Sequence, residues 1–215
     1  MIERKQYRAC LKTGWKPEEL ETAVNAAAEA AQAAVEEGKI LTASLYRYKN
    51  MRFLYYEALE ENIRPTDFLS ALTPFLEEWP EENGKTPWAY MYHIFHHSVP
   101  GDISDWQKER TEGKKRIGRI AFLWPDKVFS YARWHQAIVE EGLLKGDKYQ
   151  CIAMHENILF SYFEEPRFNV NIKNEPEQES EVIKGWLAAD PESHFDRVKA
   201  GGDNFLVIEQ LFTVG

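Results

Sequence analysis

The chain has 215 residues, a length that fits one large domain or two small ones, and its formal net charge of −9 at pH 7 argues against a nucleic-acid-binding surface. No segment approaches the roughly 18 consecutive apolar residues of a membrane-spanning helix, and the N-terminal residues lack the apolar core of a secretory signal. The two cysteines, Cys10 and Cys151, lie in predicted strands and are expected to be buried reduced thiols, so we predict a cytoplasmic protein.

The first half of the chain alternates strand and helix signals. Residues 5–11 predict a strand, and an alanine-rich helix follows from about Pro17 to Gly38. Runs of β-branched and aromatic residues on both sides of Lys49-Asn50 predict a hairpin. A second helix is predicted from Pro65 to about Trp79, and the run PWAYMYHIFHH predicts a last strand. The order β-α-β-β-α-β is that of a ferredoxin-like module.

The second half predicts the same elements again. In chain order they are a strand over residues 116–123, a helix over 125–144, a hairpin over 148–164, a polar stretch over 169–180, a helix over 179–189 and a closing strand over 204–214. Individual residues recur as well. The motif Asn-x-x-Phe-x-Tyr-x-Glu at residues 50–57 returns 107 residues later at 157–164, and Trp79 returns at the same offset as Trp186.

This repetition predicts an α+β fold made of two fused ferredoxin-like (βαββαβ) repeats. One face of such a sheet is left open by its helices and must be buried. Two copies in one chain can bury theirs against each other, which predicts an intramolecular dimeric α+β-barrel arrangement. The first repeat is assigned to residues 1–98 and the second to residues 116–215. Residues 99–115, rich in charges with Pro and Gly, are predicted to be a linker that crosses the surface.

The first helix of the second half carries the main candidate site residue, His135. Helical spacing places Val128, Tyr131, His135 and Ile138 on one apolar stripe, while Arg133 points elsewhere. Two interpretations stay open. His135 is either a core histidine held by a backbone carbonyl or a tyrosine, or a general acid/base bordering a cavity, for which its usual pKa near 6.5 is suited.

Four short motifs of the second half resemble those of the L-rhamnose mutarotase family, in the same order along the chain. They are Tyr131-x-x-x-His135 on the helix, Lys148-Tyr149 at the next strand, NILFSYFEE at residues 157–165 and IEQLFTV at residues 208–214. Members of that family are small ferredoxin-like proteins that pair as dimeric α+β barrels and interconvert sugar anomers. The resemblance covers residues 116–215 and, more faintly, residues 5–98.

The resemblance implies a cofactor-free isomerase of mutarotase type. His135 would be the catalytic proton donor and acceptor, Tyr131 and Tyr149 would bind sugar hydroxyls, and Trp186 would be an apolar platform for the sugar ring. The expected partner is therefore a small molecule, with a monosaccharide as the case that the resemblance implies. Neither a cofactor, a metal, a nucleic acid nor a membrane is expected. The chain would be a monomer with an internal pseudo-dimer, or a homodimer.

The first repeat has an alanine, Ala27 or Ala28, where the second has His135, so at most one copy would be active. Two other functions stay open beside the isomerase. One is a non-catalytic protein whose interior holds an apolar or aromatic ligand. The other is a barrel that binds haem through His135 or His155, or that acts as a cofactor-free monooxygenase. His93 and His97 share a strand face about 13 Å apart, too far for one metal ion.

Overall fold

The computed structural model describes residues 1–82, 84–111, 113–167, 173–174 and 179–215. These residues form two compact units. The first unit comprises Met1–Met91, Pro100–Lys108 and Glu209–Gly215, and the second comprises Tyr92–Val99 and Glu109–Ile208. The α+β class predicted from the sequence is confirmed, because each unit combines helices with an antiparallel sheet.

The elements of the first unit run as follows: β1 Glu3–Cys10, α1 Pro17–Glu36, β2 Ile40–Tyr48, β3 Met51–Ala58, α2 Pro65–Phe68, a 3-10 helix Ser70–Phe75, β4 Trp79–Glu81, β5 Gly84–Thr86, β6 Ala89–Tyr90 and α3 Ile103–Gln107. Those of the second unit are β7 Tyr92–His96, β8 Lys115–Phe122, a 3-10 helix Pro125–Lys127, α4 Val128–Glu141, β9 Leu144–Lys145, β10 Cys151–His155, β11 Ile158–Glu165, β12 Lys173–Asn174, α5 Glu181–Ala188 and a 3-10 helix Pro191–His194. The closing strand β13, Leu206–Val214, contributes its first three residues to the second unit and the others to the first.

The sheet of the first unit has the order β6-β1-β3-β2, with the end of β13 beside β2. Helix α1 packs on one face of it through a stripe of small residues that includes Ala23, Ala27 and Ala31. Alanine favours the helix and lets its backbone approach the sheet closely. The predicted helix from Pro17 and the predicted hairpin around Lys49 are both confirmed.

The sheet of the second unit has the order β13-β8-β11-β10-β7, and α4 packs on one face of it. The two units share a register as well as a strand order. Tyr7 lies opposite Leu54 and Tyr90 in the first unit, and Arg119 lies opposite Ser161 and Val207 in the second. Because the hairpins are offset by 107 residues, Leu54 corresponds to Ser161. Tyr7 and Arg119 therefore occupy equivalent positions on the helix-covered faces of the two sheets.

The predicted helix from Pro65 to Trp79 is wrong beyond Phe68. Helix α2 is only four residues long, and a 3-10 helix that contains Pro74 follows it. Proline has no backbone N–H and cannot continue an α-helix. Trp79 then begins strand β4, which pairs with β5, whereas Trp186 lies in helix α5. The two tryptophans are therefore not structural counterparts.

The predicted surface linker over residues 99–115 also differs from the structure. It contains helix α3, whose N-terminus is capped by the Asp102 side chain, and Trp106 on that helix is buried. The polar stretch at residues 169–180 lies mostly outside the described residues. Both cysteines are free thiols, Cys151 buried and Cys10 half-buried. Among the helices of the described residues, none is long and apolar enough to cross a membrane.

Candidate functional site

The predicted apolar stripe of α4 is confirmed, because Tyr131, His135 and Ile138 are its buried residues and Arg133 is exposed. The His135 ring stacks on the Tyr131 ring, with 3.9 Å between ring centroids. Its Nδ1 lies 2.9 Å from the Tyr131 carbonyl oxygen, to which it donates a hydrogen bond as an N–H. This is the i to i−4 contact that helical geometry makes available to a buried side chain.

Two further rings enclose His135. Phe95 of β7 and Trp186 of α5 both meet it edge to face, with centroids 5.5 Å and 5.1 Å away. The residue is 9 % exposed, and burial lowers the pKa of His135 to about 4. The imidazole is therefore neutral near pH 7. Tyr131, His135 and Trp186, three of the four predicted site residues, thus form one cluster.

Tyr131 also packs in the core between α4 and the sheet. Burial raises the pKa of the Tyr131 phenol, and the positive charge of Arg119 opposes that rise. Arg119 lies on β8. Ala121 and Leu123, two and four residues later and on the same side of the chain, belong to the core under α4. The Arg119 side chain therefore belongs to the helix-covered face, where a charged group is unusual.

Arg119 is surrounded by aromatic rings rather than by acids. Its guanidinium lies 4.3 Å from the ring centroid of Phe205 and 5.1 Å from that of Phe163, and its Nε donates a hydrogen bond of 3.2 Å to Ser161 Oγ. Arg167 lies over the same Phe163 ring at 4.1 Å. Burial, with a smaller contribution from Arg167, lowers the pKa of Arg119 to about 10. Arg119 therefore stays a cation at neutral pH.

Neither arginine has a carboxylate within ion-pair distance among the described residues. A largely buried cation with no counter-charge is costly to the folded protein. Such an arrangement can bind an anion and can stack a flat apolar group on its rings. Sequence reasoning missed Arg119, which lies within the predicted strand over residues 116–123. Its burial can be inferred from its neighbours, because side chains on a strand alternate between faces and Arg119 shares a face with the apolar Ile117 and Ala121.

Tyr149, the fourth predicted site residue, lies just before β10 and is fully buried. Its ring faces three cations: Arg110 at 4.6 Å, Lys114 at 5.2 Å and Lys148 at 5.6 Å. Its backbone N–H donates to the side chain of Asp147, whose pKa is raised by burial. A role for Tyr149 in binding substrate stays a prediction.

The recurring Tyr-x-Glu motif forms a buried hydrogen-bonded pair in each unit. In the second unit Glu164 accepts from the Tyr162 hydroxyl at 2.8 Å and from the Arg110 guanidinium at 3.0 Å and 2.8 Å. In the first unit Glu57 accepts from the Tyr55 hydroxyl at 2.6 Å and from the Trp106 indole at 3.0 Å. The repeated acids are therefore buried, hydrogen-bonded anchors of the fold, although Oε2 of Glu164 accepts no hydrogen bond from the described residues.

The histidines of β7 belong to no cluster of metal-ligand type. Within the part of the chain that the structure describes, no group of three or more His, Cys, Asp or Glu side chains is placed to hold a metal ion. His93 and His96 meet through their rings, with centroids 5.9 Å apart.

Trp186 is held in the site by a close approach of α5 to α4 at Gly185. A Cβ added to Gly185 would lie 2.4 Å from the Trp134 ring. We expect Gly185→Ala to lower the free energy of unfolding by about 1–3 kcal/mol, because the rigid indole must shift. At an uncrowded helical position the same change would stabilise by about 1 kcal/mol, so the sign is diagnostic.

Urea unfolding measures this effect. The control is Leu187→Ala, an exposed residue of the same helix. Its effect is expected to stay within about 0.5 kcal/mol. A Gly185→Ala protein as stable as the wild type, or more so, would contradict the close packing of α5 on α4.

Comparisons with known proteins give distant structural similarities. No family model matches the chain, and no curated protein matches it. A solved structure of a candidate monooxygenase from Fusobacterium nucleatum subsp. nucleatum ATCC 25586 is 9 % identical, with coverage of 100 % of this chain and 94 % of that one, at a TM-score of 0.43. One from Lactobacillus acidophilus NCFM is 5 % identical, with coverage of 99 % and 95 %, at 0.44.

An anthrone oxidase-like protein is 9 % identical to the chain, with coverage of 99 % of this chain and 95 % of that one, at a TM-score of 0.37. At these scores and identities, the similarities assign neither a family nor an activity. Membership of the L-rhamnose mutarotase family finds no support among them.

Proposed function

We propose that the chain is a small-molecule-binding protein whose second unit holds an organic anion with a flat aromatic body. The site lies on the helix-covered face of the sheet, with Arg119 as the residue that binds the anion. The observation that carries the proposal is the Arg119 guanidinium, which lies over the rings of Phe163 and Phe205 and has no carboxylate partner among the described residues.

Arg119 has no counter-charge among the residues that the structure describes. A cation removed from water costs free energy unless an anion or several hydrogen bonds replace its hydration. Within the described part of the chain, Arg119 makes one hydrogen bond, to Ser161, and its neighbour Arg167 adds a like charge. A bound carboxylate would neutralise the pair, and the planar fork of a guanidinium suits a carboxylate in two hydrogen bonds.

The aromatic rings define the rest of the ligand. The Arg119 guanidinium lies over the rings of Phe163 and Phe205, and its charge acts on the phenol of Tyr131, whose ring contacts Trp186. Aromatic side chains offer large flat surfaces that stack on a flat ligand. An aromatic carboxylate therefore fits this site better than a monosaccharide does.

We do not propose sugar mutarotation, because the His135 imidazole is neutral near pH 7. Protonating a ring oxygen needs an imidazolium, and a pKa of about 4 leaves about one in a thousand imidazoles protonated at pH 7. The buried Nδ1 is also engaged by the Tyr131 carbonyl. We propose that His135 acts as a neutral wall of the site.

We also infer that the two units descend from one duplicated ferredoxin-like module, with the repeats at residues 1–98 and 116–215. The equal strand order and the equal register of Tyr7 and Arg119 support this inference. Under the same inference, β6 and β7 together are the closing strand of the first repeat, and β13 is that of the second. Each closing strand contributes its first residues to one unit and its last residues to the other, and the two division points correspond.

The binding test uses 1-naphthoate as the anionic probe and 1-naphthamide as its neutral counterpart, in calorimetric titrations. The carboxylate is expected to bind and the amide to bind at least about tenfold more weakly. Arg119→Met is expected to weaken naphthoate binding by at least about tenfold. The control Arg133→Met removes an exposed arginine of α4 and is expected to change nothing.

The same variants separate a binding role from a structural one. Arg119→Met removes a charge that has no carboxylate partner among the described residues, so the free protein is expected to be at least as stable as the wild type. Equal naphthoate affinity in Arg119→Met and wild type, or an equal affinity for naphthoate and naphthamide, would overturn the proposal. So would a large loss of stability in Arg119→Met without any change in binding.

A further inference from the structure

The first unit contains a cavity of about 490 Å³ that this binding function does not use. Small-molecule sites have volumes of about 300–1,000 Å³. Its lining combines cations, phenols and an indole, in particular Lys5, Tyr7, Arg64, Lys85, Trp88 and Tyr90. These residues come from β1, from the start of α2 and from the segment that ends in β6. All of them belong to the first unit.

The cavity occupies the position that corresponds to the Arg119 site. Tyr7 is the register equivalent of Arg119, and Trp88, which precedes β6, is the equivalent of Phe205, which precedes β13. The two faces therefore offer different chemistry at one position. Where the second unit has a largely buried cation over aromatic rings, the first has a phenol and an indole that line the same cavity.

The indole N–H of Trp88 has no hydrogen-bond acceptor among the residues that the structure describes. Trp88 is 1 % exposed, it lines the cavity, and its Nε1 makes no hydrogen bond within the described residues. A buried donor left unsatisfied costs about 1–3 kcal/mol. A ligand oxygen that accepts from this N–H would recover that free energy.

The charges of the lining favour an anion. Three of its side chains are cations, Lys5, Arg64 and Lys85, against one carboxylate, Glu81. Lys5 is nearly buried and pairs with Glu3 at 3.2 Å. The ion pairs of the other two cations are exposed: Arg64 with Glu81 at 3.5 Å, and Lys85 with Glu78 at 3.4 Å. Exposed pairs of this kind are worth about 0–1 kcal/mol, so a dianion can displace them at little cost.

Hydroxyl groups complete the lining. The Tyr7 phenol is hydrogen-bonded to Tyr56, and burial raises the pKa of Tyr7, so it stays a neutral phenol at physiological pH. Asn62 and Thr66 add an amide and a hydroxyl at the rim. Amides, hydroxyls and phenols can both donate and accept, as recognition of a hydroxylated ligand requires.

We propose that this cavity binds a small hydroxylated molecule that bears a phosphate. Cations on three separate segments, β1, the residue before α2 and β5, surround the anionic group. A phosphate has enough oxygens to meet several cations together with the Trp88 N–H, while the amide and hydroxyl groups meet the body of the ligand.

The test uses glucose 6-phosphate as the probe, with glucose and inorganic phosphate as its two halves. The readout is the set of indole N–H resonances in ¹⁵N-labelled protein, in which the Trp88 signal is identified by its absence from Trp88→Phe. Glucose 6-phosphate is expected to shift that signal at lower concentration than either half. Arg64→Gln and Lys85→Gln are each expected to weaken binding by about three- to tenfold.

Two controls decide the interpretation. Lys16→Gln makes the same change of charge at the start of α1, outside the cavity, and is expected to leave the affinity unchanged. Arg119→Met is also expected to leave it unchanged, so the outcome is independent of the site in the second unit. A Trp88 signal that does not move at millimolar probe, or equal affinities in Arg64→Gln, Lys85→Gln and the wild type, would overturn the proposal.

Discussion

Replacing Glu164 by leucine is expected to lower the free energy of unfolding by about 3–5 kcal/mol, as breaking a buried ion pair does. The Glu164 side chain is fully buried and accepts hydrogen bonds from Arg110 and Tyr162, with Arg116 at 3.9 Å. Both arginine side chains are about nine-tenths buried. Leucine removes their shared carboxylate and leaves two positive charges in a site that water hardly reaches.

Urea unfolding of Glu164→Leu checks this value, with Glu209→Leu as the matched control. Glu209 also pairs with an arginine, Arg47, at 2.6 Å, but both side chains are about half exposed. Losing that pair is expected to cost about 0–1 kcal/mol. If Glu164→Leu and Glu209→Leu lowered the free energy of unfolding by similar amounts, burial of Glu164 would not increase its contribution to stability.

A second substitution tests whether the loss comes from the stranded charge. The double variant Arg110→Leu with Glu164→Leu removes the acid and its closest cation together. Its destabilisation is expected to be smaller than the sum of the two single effects by about 1–3 kcal/mol, because the residues are in direct contact. Additive losses would mean that the Arg110–Glu164 contact contributes little coupling.

The elements that the sequence predicts correctly are those with strong local signals. Helix α1 has alanine along its buried stripe, a proline at its start and a glycine after its end. The hairpin of β2 and β3 turns at Lys49, which has a positive φ of 52°. Local propensity and the pattern of buried residues agree in both cases, so neighbouring segments need not be known.

The failures occur where distant contacts decide the structure. Residues 70–79 contain apolar residues at helical spacing, but Pro74 interrupts them and Trp79 pairs with Thr86 across a short hairpin. The burial of Trp106 is another case, since its partner Glu57 lies 49 residues earlier in the chain. A linear pattern of charges and small residues does not reveal such a partner.

The candidate site was predicted in part, for a similar reason. Helical spacing alone placed Tyr131 with His135, and the structure adds Trp186 to them. Arg119 was not predicted, because a charged residue on a strand is expected to face solvent unless the residues two positions before and after it are apolar. The repeated acids, by contrast, drew attention through their recurrence, and their hydrogen bonds give them a structural role in both units.

The two units share a framework but carry different side chains at equivalent positions. Each keeps a buried Tyr-x-Glu pair on one strand, Tyr55 with Glu57 and Tyr162 with Glu164. Each varies the residue at the centre of its helix-covered face. Retention of the anchors is consistent with a shared framework, while the change from phenol to guanidinium gives each face its own ligand chemistry. A duplicated module can diverge in this way because the anchoring pairs and the ligand-facing positions are separate.

Lowering the pH from 7.5 to 4 is expected to destabilise the protein through His135 by about 3 kcal/mol. Burial holds the pKa of His135 at about 4 in the folded state, against its ordinary value of 6.5. Below pH 6.5 the unfolded chain takes up a proton that the folded protein does not. The stability that depends on the neutral imidazole is therefore fully present above pH 6.5 and is lost as the pH falls through the range from 6.5 to 4.

Comparison with His135→Asn isolates this contribution from that of the carboxylates, which also respond to acid. Asparagine leaves a smaller side chain, but that loss does not depend on pH, so it cancels when the difference between variant and wild type is followed from pH 7.5 to 4. The wild type should lose about 3 kcal/mol more than His135→Asn over this range, and the His135 ring signals in NMR should titrate well below pH 6. Titration near pH 6.5, with equal losses in both proteins, would mean that the imidazole is accessible and ready to exchange protons, and the acid/base role would then become the better account of this histidine.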